Sequence, residues 1–123
     1  MDTSRIDQFR QMVSADPQNE LGHFSLGRAY LDGGLAQQAI PCLQRAIELN
    51  PNYAQPYINR GSTYMYMGES EKAIQDYSKA LELNPDLAET YYNRALAYRE
   101  QGETQKSDQD MKKYAELTGH KAI

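Results

Sequence analysis

The chain has 123 residues, of which 40% are hydrophobic and 24% are charged, a composition typical of one ordinary folded domain. Its net charge of -4 and its isoelectric point near 5.1 disfavour nucleic acid as a partner, because binding to phosphates needs a basic surface. The mean hydropathy of -0.81 and the lack of an apolar run of roughly 18 residues exclude a membrane span, and the polar start predicts no secretory signal.

Seven helices are predicted from the apolar spacing and from the residues that interrupt it. Glycine ends every second helix, because glycine enters the left-handed conformation at low cost. Asn50-Pro51 and Asn84-Pro85 end two others, since the residue before proline is pushed out of the helical region. The predicted spans are 4–15, 20–32, 36–49, 54–66, 70–83, 88–100 and 104–117.

One residue conflicts with this pattern. Pro41 falls inside the third predicted helix, where it lacks the backbone N–H that a helix interior requires. A slight bend in that helix, or a start nearer Gln38, would remove the conflict.

The pattern of helices repeats at a fixed step. Tyr30 returns as Tyr64 and Tyr98, a displacement of 34 residues each time. The repetition divides the chain into three copies, 20–53, 54–87 and 88–121. Residues 1–19 contribute an extra helix, which we interpret as an N-terminal cap over the open face of the first copy.

These copies resemble the tetratricopeptide repeat, a 34-residue unit that reads W-x2-L-G-x2-Y, then A-x3-F, then P. The resemblance covers residues 20–121, and copy three departs from it most, with alanine for glycine, serine for alanine and no closing proline. The matching residues are His23, Leu26, Gly27, Tyr30, Ala39, Leu43 and Pro51 in copy one; Tyr57, Arg60, Gly61, Tyr64, Ala73, Tyr77 and Pro85 in copy two; and Tyr91, Arg94, Ala95, Tyr98, Ser107 and Met111 in copy three.

The resemblance implies an all-α fold, a right-handed α-solenoid that makes residues 1–123 one domain. The small residues at Gly27, Gly61 and Ala95 are expected where the two helices of a copy cross closely. The first helix of each copy would line a concave groove that binds a peptide segment of a partner protein. The predicted groove residues are Phe24, Arg28, Gln55, Ile58, Asn59, Ser62, Met65, Tyr66, Glu89, Tyr92, Asn93, Leu96 and Arg99.

Asparagine occupies equivalent groove positions in copies two and three, at Asn59 and Asn93. Its amide can both donate to and accept from a peptide backbone, whatever the peptide sequence. Similar asparagine ladders hold peptide main chains in some members of the family, although Ser25 interrupts this one in copy one. The alternative is that both asparagines form local hydrogen bonds only.

Some members of the family bind a chaperone's C-terminal carboxylate through lysine, asparagine and arginine. Here Asn59 is the single match in five. Phe24 and Arg28 replace lysine and asparagine, while Glu89 and Asn93 replace lysine and arginine. A carboxylate in place of a cation argues against this clamp.

The arginines fall into two groups. Arg28 and Arg99 are expected either to meet an acidic partner or to remain solvated. Arg60 and Arg94 are expected to be structural, with Asp76 and Asp110 on the following helix as their partners.

Residues that would carry catalysis are lacking. His23 holds the position of the family's tryptophan and is expected to be packing, and His120 lies in a predicted frayed tail. No metal-ligand spacing, phosphate-binding loop or nucleophile motif occurs, so neither a metal nor a cofactor is expected. The single cysteine, Cys42, has no activating neighbours and fits a reducing, cytoplasmic setting.

The sequence therefore predicts a protein–protein interaction scaffold that is not an enzyme. A second hypothesis is a structural protein that self-assembles through its groove or its open ends. It rests on Met111, Tyr114 and Leu117, which nothing after the last helix would cover. An enzyme with an unrecognised site is a third, weaker alternative.

Overall fold

The computed structural model describes residues 3–119, and within that range the chain forms seven α-helices and no strand. Six of the seven predicted spans are confirmed at both ends, and the last helix ends one residue later than predicted. His120 lies outside the described residues. The helices are α1 (Ser4–Ala15), α2 (Glu20–Asp32), α3 (Ala36–Leu49), α4 (Ala54–Tyr66), α5 (Ser70–Leu83), α6 (Ala88–Glu100) and α7 (Thr104–Thr118).

The helices stack as successive pairs. Each helix packs against the next in the chain, and the two helices of a copy, such as α2 with α3, share the most extensive contacts. The first helices also meet across copies, α2 with α4 and α4 with α6, whereas among the described helices α3, α5 and α7 do not touch one another. A stack whose first helices converge and whose second helices diverge is curved, with α2, α4 and α6 on its inner side. This is the predicted α-solenoid.

The turns within copies depend on glycine. Gly34, Gly68 and Gly102 have φ angles of 76°, 80° and 75°, which only glycine adopts without strain. Asn50 and Asn84 organise the turns between copies, because each side chain accepts a hydrogen bond from the backbone N–H two residues later. The glycines and the Asn-Pro pairs therefore end the helices as the sequence predicted.

Pro41 is accommodated without a break in the helix. α3 runs from Ala36 to Leu49 with Pro41 inside it, so the alternative start near Gln38 is wrong. Proline at this position leaves the carbonyl of Gln37 without its usual helical donor. Gln37 is exposed, which allows water to bond that carbonyl.

A hydrogen bond links each first helix to the turn before it. The side chain at the position of the family's tryptophan donates to the carbonyl of the proline six residues earlier. His23 therefore has a structural role, as predicted, although this bond itself was not predicted. The three bonds are His23 Nε2 to Pro17 at 2.8 Å, Tyr57 Oη to Pro51 at 3.1 Å and Tyr91 Oη to Pro85 at 2.9 Å.

The two helices of a copy cross too closely for a side chain at one position. A Cβ added to Gly27 would lie 2.7 Å from Cγ of Leu43, and one added to Gly61 would lie 2.9 Å from Cε1 of Tyr77. Leu43 and Tyr77 are fully enclosed, so neither has space to retreat. The predicted reason for the small residues is confirmed.

The buried Tyr77 gives the fold a sensitivity to alkali. Burial raises the pKa of Tyr77 above its ordinary value of 10.0, although a hydrogen bond to Ser62 at 3.0 Å acts in the opposite direction. Because the folded state holds this proton more tightly than the unfolded state, the stabilisation is full below pH 10 and declines as the pH rises above it. We expect urea denaturation of Tyr77→Phe to show a shallower loss of stability above pH 10 than the wild type. If both proteins lost stability equally with rising pH, the raised pKa would not belong to Tyr77, since the other nine tyrosines are common to both proteins.

Candidate peptide-binding groove

All thirteen predicted groove residues lie on the inner helices α2, α4 and α6. Their exposure differs. Arg28, Tyr66, Glu89, Tyr92 and Arg99 are exposed, Asn59 is buried, and the half-buried residues are Phe24, Gln55, Ile58, Ser62, Met65, Asn93 and Leu96. The inner side therefore offers partly open apolar groups with charged groups among them.

Asn59 is the unusual polar residue of the inner helices. The residue is only 6% exposed, and its Nδ2 is buried with no hydrogen-bond partner among residues 3–119. A buried amide that lacks an acceptor costs about 1–3 kcal/mol, so native structures seldom keep one without a reason. The equivalent Asn93 is half-buried. The local hydrogen bonds considered as the alternative therefore do not satisfy the amide nitrogen of Asn59.

Aromatic rings lie at both ends of the inner side. Phe24 meets Tyr53 edge to face, with ring centroids 5.5 Å apart. Tyr92 packs against Tyr114 of α7 at 5.2 Å. Both contacts join a predicted groove residue to a neighbouring element, which fixes the position of the ring.

Charged groups on the inner side are loosely held. Arg28 lies 3.5 Å from Asp32, and both side chains are about half exposed, so the pair contributes little stability. Glu89 is exposed and is the acidic residue among the thirteen. This arrangement leaves Arg28 available to a partner and opposes a partner carboxylate near Glu89.

Arg60 and Arg94 lie away from this surface, in the ion pairs that the sequence predicted. Arg60 binds Asp76 through two hydrogen bonds of 2.8 Å, and Arg94 binds Asp110 through two of 2.7 Å. Each bidentate pair raises the pKa of its arginine, chiefly through the hydrogen bonds to the carboxylate. Arg94 also donates to Ser78 at 3.1 Å, which connects copy three to copy two.

The described residues offer little for other chemistry. Among residues 3–119, no group of three or more histidine, cysteine, aspartate or glutamate side chains is arranged to hold a metal ion. Burial raises the pKa of the Cys42 thiol, which keeps it protonated and slow to react. None of the helices in this range is long and apolar enough to cross a membrane.

The same repeat occurs in known proteins. A family model described as a TPR repeat matches residues 27–68 and again 61–102, and a tetratricopeptide repeat model matches 88–120. The curated TPR repeat-containing protein PA0015 of Pseudomonas aeruginosa is 39% identical over 49 residues, which are 40% of this chain and 47% of that protein. The chain thus aligns with about half the length of this relative.

Solved structures share the arrangement of helices. A crystal structure of MamA superposes with a TM-score of 0.86 at 33% identity, over 93% of this chain and 62% of that one. The second TPR of Spaghetti (RPAP3), bound to the HSP90 peptide SRMEEVD, gives 0.79 at 22% identity, over 86% of this chain and 98% of that one. The latter likeness shows the fold alone.

Proposed function

Because the chain belongs to the tetratricopeptide repeat family, we propose that it is a non-catalytic interaction scaffold that binds a peptide segment of a partner protein along α2, α4 and α6. The buried amide nitrogen of Asn59 carries this proposal, because it is a donor on the inner side that finds no acceptor among residues 3–119. A peptide carbonyl supplies that acceptor once the Asn59 side chain turns toward the groove.

The rest of the inner side has the character of a peptide site. Phe24, Ile58, Met65 and Tyr92 are the proposed apolar anchors, and none of the four is fully buried. Asn93 adds a second amide one copy further on. Apolar anchors give affinity, while main-chain hydrogen bonds to the two amides give register without requiring one peptide sequence.

The peptide is not proposed to end in a clamped carboxylate, as an acidic chaperone tail would. Glu89 is exposed where such a clamp needs a cation, and Phe24 is a half-buried ring where it needs a lysine. The free Cys42 also supports a reducing, cytoplasmic setting for the complex.

The double substitution Asn59→Ala with Asn93→Ala tests the groove. Loss of two hydrogen bonds at about 1 kcal/mol each should weaken binding of a captured partner peptide roughly thirtyfold. The melting temperature should hardly move, because the Asn59 amide nitrogen has no partner to lose within residues 3–119. Fluorescence anisotropy gives the affinity and thermal denaturation the stability. Equal loss of folding and binding would mean that both asparagines are structural.

A second candidate function, self-assembly, draws on the exposure of α7. Met111 and Tyr114 are half-buried, whereas the equivalent Tyr77 and Ala80 of copy two are enclosed by the helix that follows them. Contact between two chains at α7 would cover this surface. Sedimentation over a wide concentration range decides the matter, since a monomer throughout contradicts it.

A further inference from the structure

Copy one differs from the other two copies at the position of the buried ion pair. Where copy two has Arg60 and Asp76, copy one has Leu26 and Cys42. Leu26 is buried and Cys42 is half-buried, so a shorter, uncharged pair occupies the space. The site is therefore apolar in copy one, and less of it is filled.

A second cation is missing from the same region. Lys72 of copy two lies over the ring of Tyr64, with Nζ 5.5 Å from the centroid. The equivalent residues of copy one are Gln38 and Tyr30, and glutamine provides no charge for the ring face. Tyr30 therefore lacks the lysine that covers the ring face of Tyr64 in copy two.

These changes accompany a shallow cavity of about 490 Å³ between α1, α2 and α3, which is widely open to solvent. A cavity of this size has room for a large apolar side chain. Its apolar lining consists of Val13, Leu26, Tyr30, Pro41 and Cys42.

A second cavity of about 480 Å³ adjoins the first, because Gln37 and Gln38 line both. Its far wall is formed by Tyr66 and Met67, whose exposed fractions of 67% and 39% are large for such residues. Tyr66, a predicted groove residue, therefore also borders this cavity.

The counterpart of the second cavity in copy two is smaller and charged. It measures about 250 Å³ and is lined by Glu69, Glu71 and Lys72 among others. Copy one has the uncharged Leu35, Gln37 and Gln38 at the positions of Glu69, Glu71 and Lys72. We call the two adjoining cavities of copy one the copy-one surface.

The charged residue that lines the copy-one surface is basic. Arg10 of α1 lines the first cavity, and neither cavity includes a carboxylate in its lining. Arg10 has no ion-pair partner in the range 3–119, whereas Arg5 on the same helix reaches Asp32 at 3.8 Å. An occupant that brings a carboxylate would complement it.

We propose that the copy-one surface is a second docking site, for a peptide segment of another protein that places one apolar side chain in each cavity and a carboxylate beside Arg10. The two adjoining cavities each include apolar residues and so accommodate two anchors. Arg10, which has no ion-pair partner among residues 3–119, favours an acidic residue beside them. The groove asparagines take no part in this site.

The chain supplies its own control variant. Leu26→Arg with Cys42→Asp installs the ion pair of copies two and three, which fills the first cavity with a pair that this fold already holds twice. A random peptide display library is selected on the wild type and counter-selected on this filled variant. We expect surviving peptides to carry two apolar residues and an acidic one.

Fluorescence anisotropy then measures the selected peptides against four proteins. Affinity should fall at least about tenfold in the filled variant and several-fold in Arg10→Glu. It should be unchanged in Asn59→Ala with Asn93→Ala, which separates this site from the groove. If the filled variant does not fold, Met67→Ala replaces it, since Met67 is exposed, lines the second cavity and lies outside the predicted groove, and a several-fold loss is again expected.

Four results would overturn the proposal. One is the absence of peptides that survive counter-selection. Another is that the surviving peptides bind the filled variant, or its replacement, as tightly as they bind the wild type. A third is that the surviving peptides lack an acidic residue and bind Arg10→Glu with unchanged affinity. The last is wild-type oligomers that dissociate in the filled variant, which would make a second copy of this chain the occupant.

Discussion

Replacing Asp76 with alanine is expected to lower the free energy of unfolding by about 3 kcal/mol. The side chain of Asp76 is 7% exposed and that of Arg60 is 20% exposed, so the pair is largely shielded from water. Without the carboxylate, the guanidinium of Arg60 stays in this enclosed place with no counter-charge. Urea denaturation followed by circular dichroism measures the loss.

Two variants control this result. Glu82→Ala removes an exposed carboxylate that lies 3.8 Å from Lys79 on the same helix, and it should change stability by no more than about 0.5 kcal/mol. Arg60→Leu with Asp76→Cys copies the pair of copy one, Leu26 and Cys42. It should recover part of the stability, because it removes the uncompensated charge of Arg60, while the shorter side chains leave some of the space unfilled. A double variant as unstable as Asp76→Ala would contradict the equivalence of the copies.

Two glycines on α2 are expected to respond to alanine in opposite directions. In Gly27→Ala the new Cβ would lie 2.7 Å from Cγ and 2.8 Å from Cδ2 of the enclosed Leu43. Overpacking of this kind costs about 1–3 kcal/mol, which outweighs the gain of about 1 kcal/mol from helix propensity. In Gly22→Ala the nearest atom, Cγ2 of Val13, is at 3.5 Å, so that gain remains and the protein should become more stable.

Copy three indicates how the defect of Gly27→Ala should be repaired. It carries alanine at the equivalent position, Ala95, and its opposing residue is Met111 rather than leucine. Methionine is unbranched and adapts to a tighter gap. Gly27→Ala with Leu43→Met should therefore be more stable than Gly27→Ala alone. If Gly27→Ala stabilises the protein as much as Gly22→Ala does, the close crossing in copy one is wrong.

The fold could be predicted from the sequence because each boundary has a local cause. Gly34, Gly68 and Gly102 require the left-handed conformation, and Asn-Pro disfavours a continuing helix, so helix limits follow from single residues. The pairing of Arg60 with Asp76 was also predictable, because opposite charges at matched places recur one copy later.

Other features were visible in the sequence but were not predicted. An aromatic or histidine follows proline by six residues in every copy, which is the signal for the bonds to the carbonyls of Pro17, Pro51 and Pro85. The replacement of the arginine–aspartate pair by Leu26 and Cys42 is equally visible when the copies are aligned.

The state of the candidate site could not be predicted in this way. Whether Asn59 is open or enclosed depends on how the neighbouring helices surround it, and Asn93 at the equivalent place is more exposed. The cavities of copy one depend likewise on packing among three helices. Such features come from three-dimensional contacts that no single residue or spacing specifies.

A partner peptide is proposed to lie along the inner helices of the solenoid. Amide chemical-shift mapping by NMR tests it most directly, with a peptide selected on the Leu26→Arg, Cys42→Asp variant so that the copy-one surface is filled. The perturbed backbone amides are expected to cluster on α2, α4 and α6, together with the side-chain amide of Asn59. Perturbations confined to α3, α5 and α7 would contradict it.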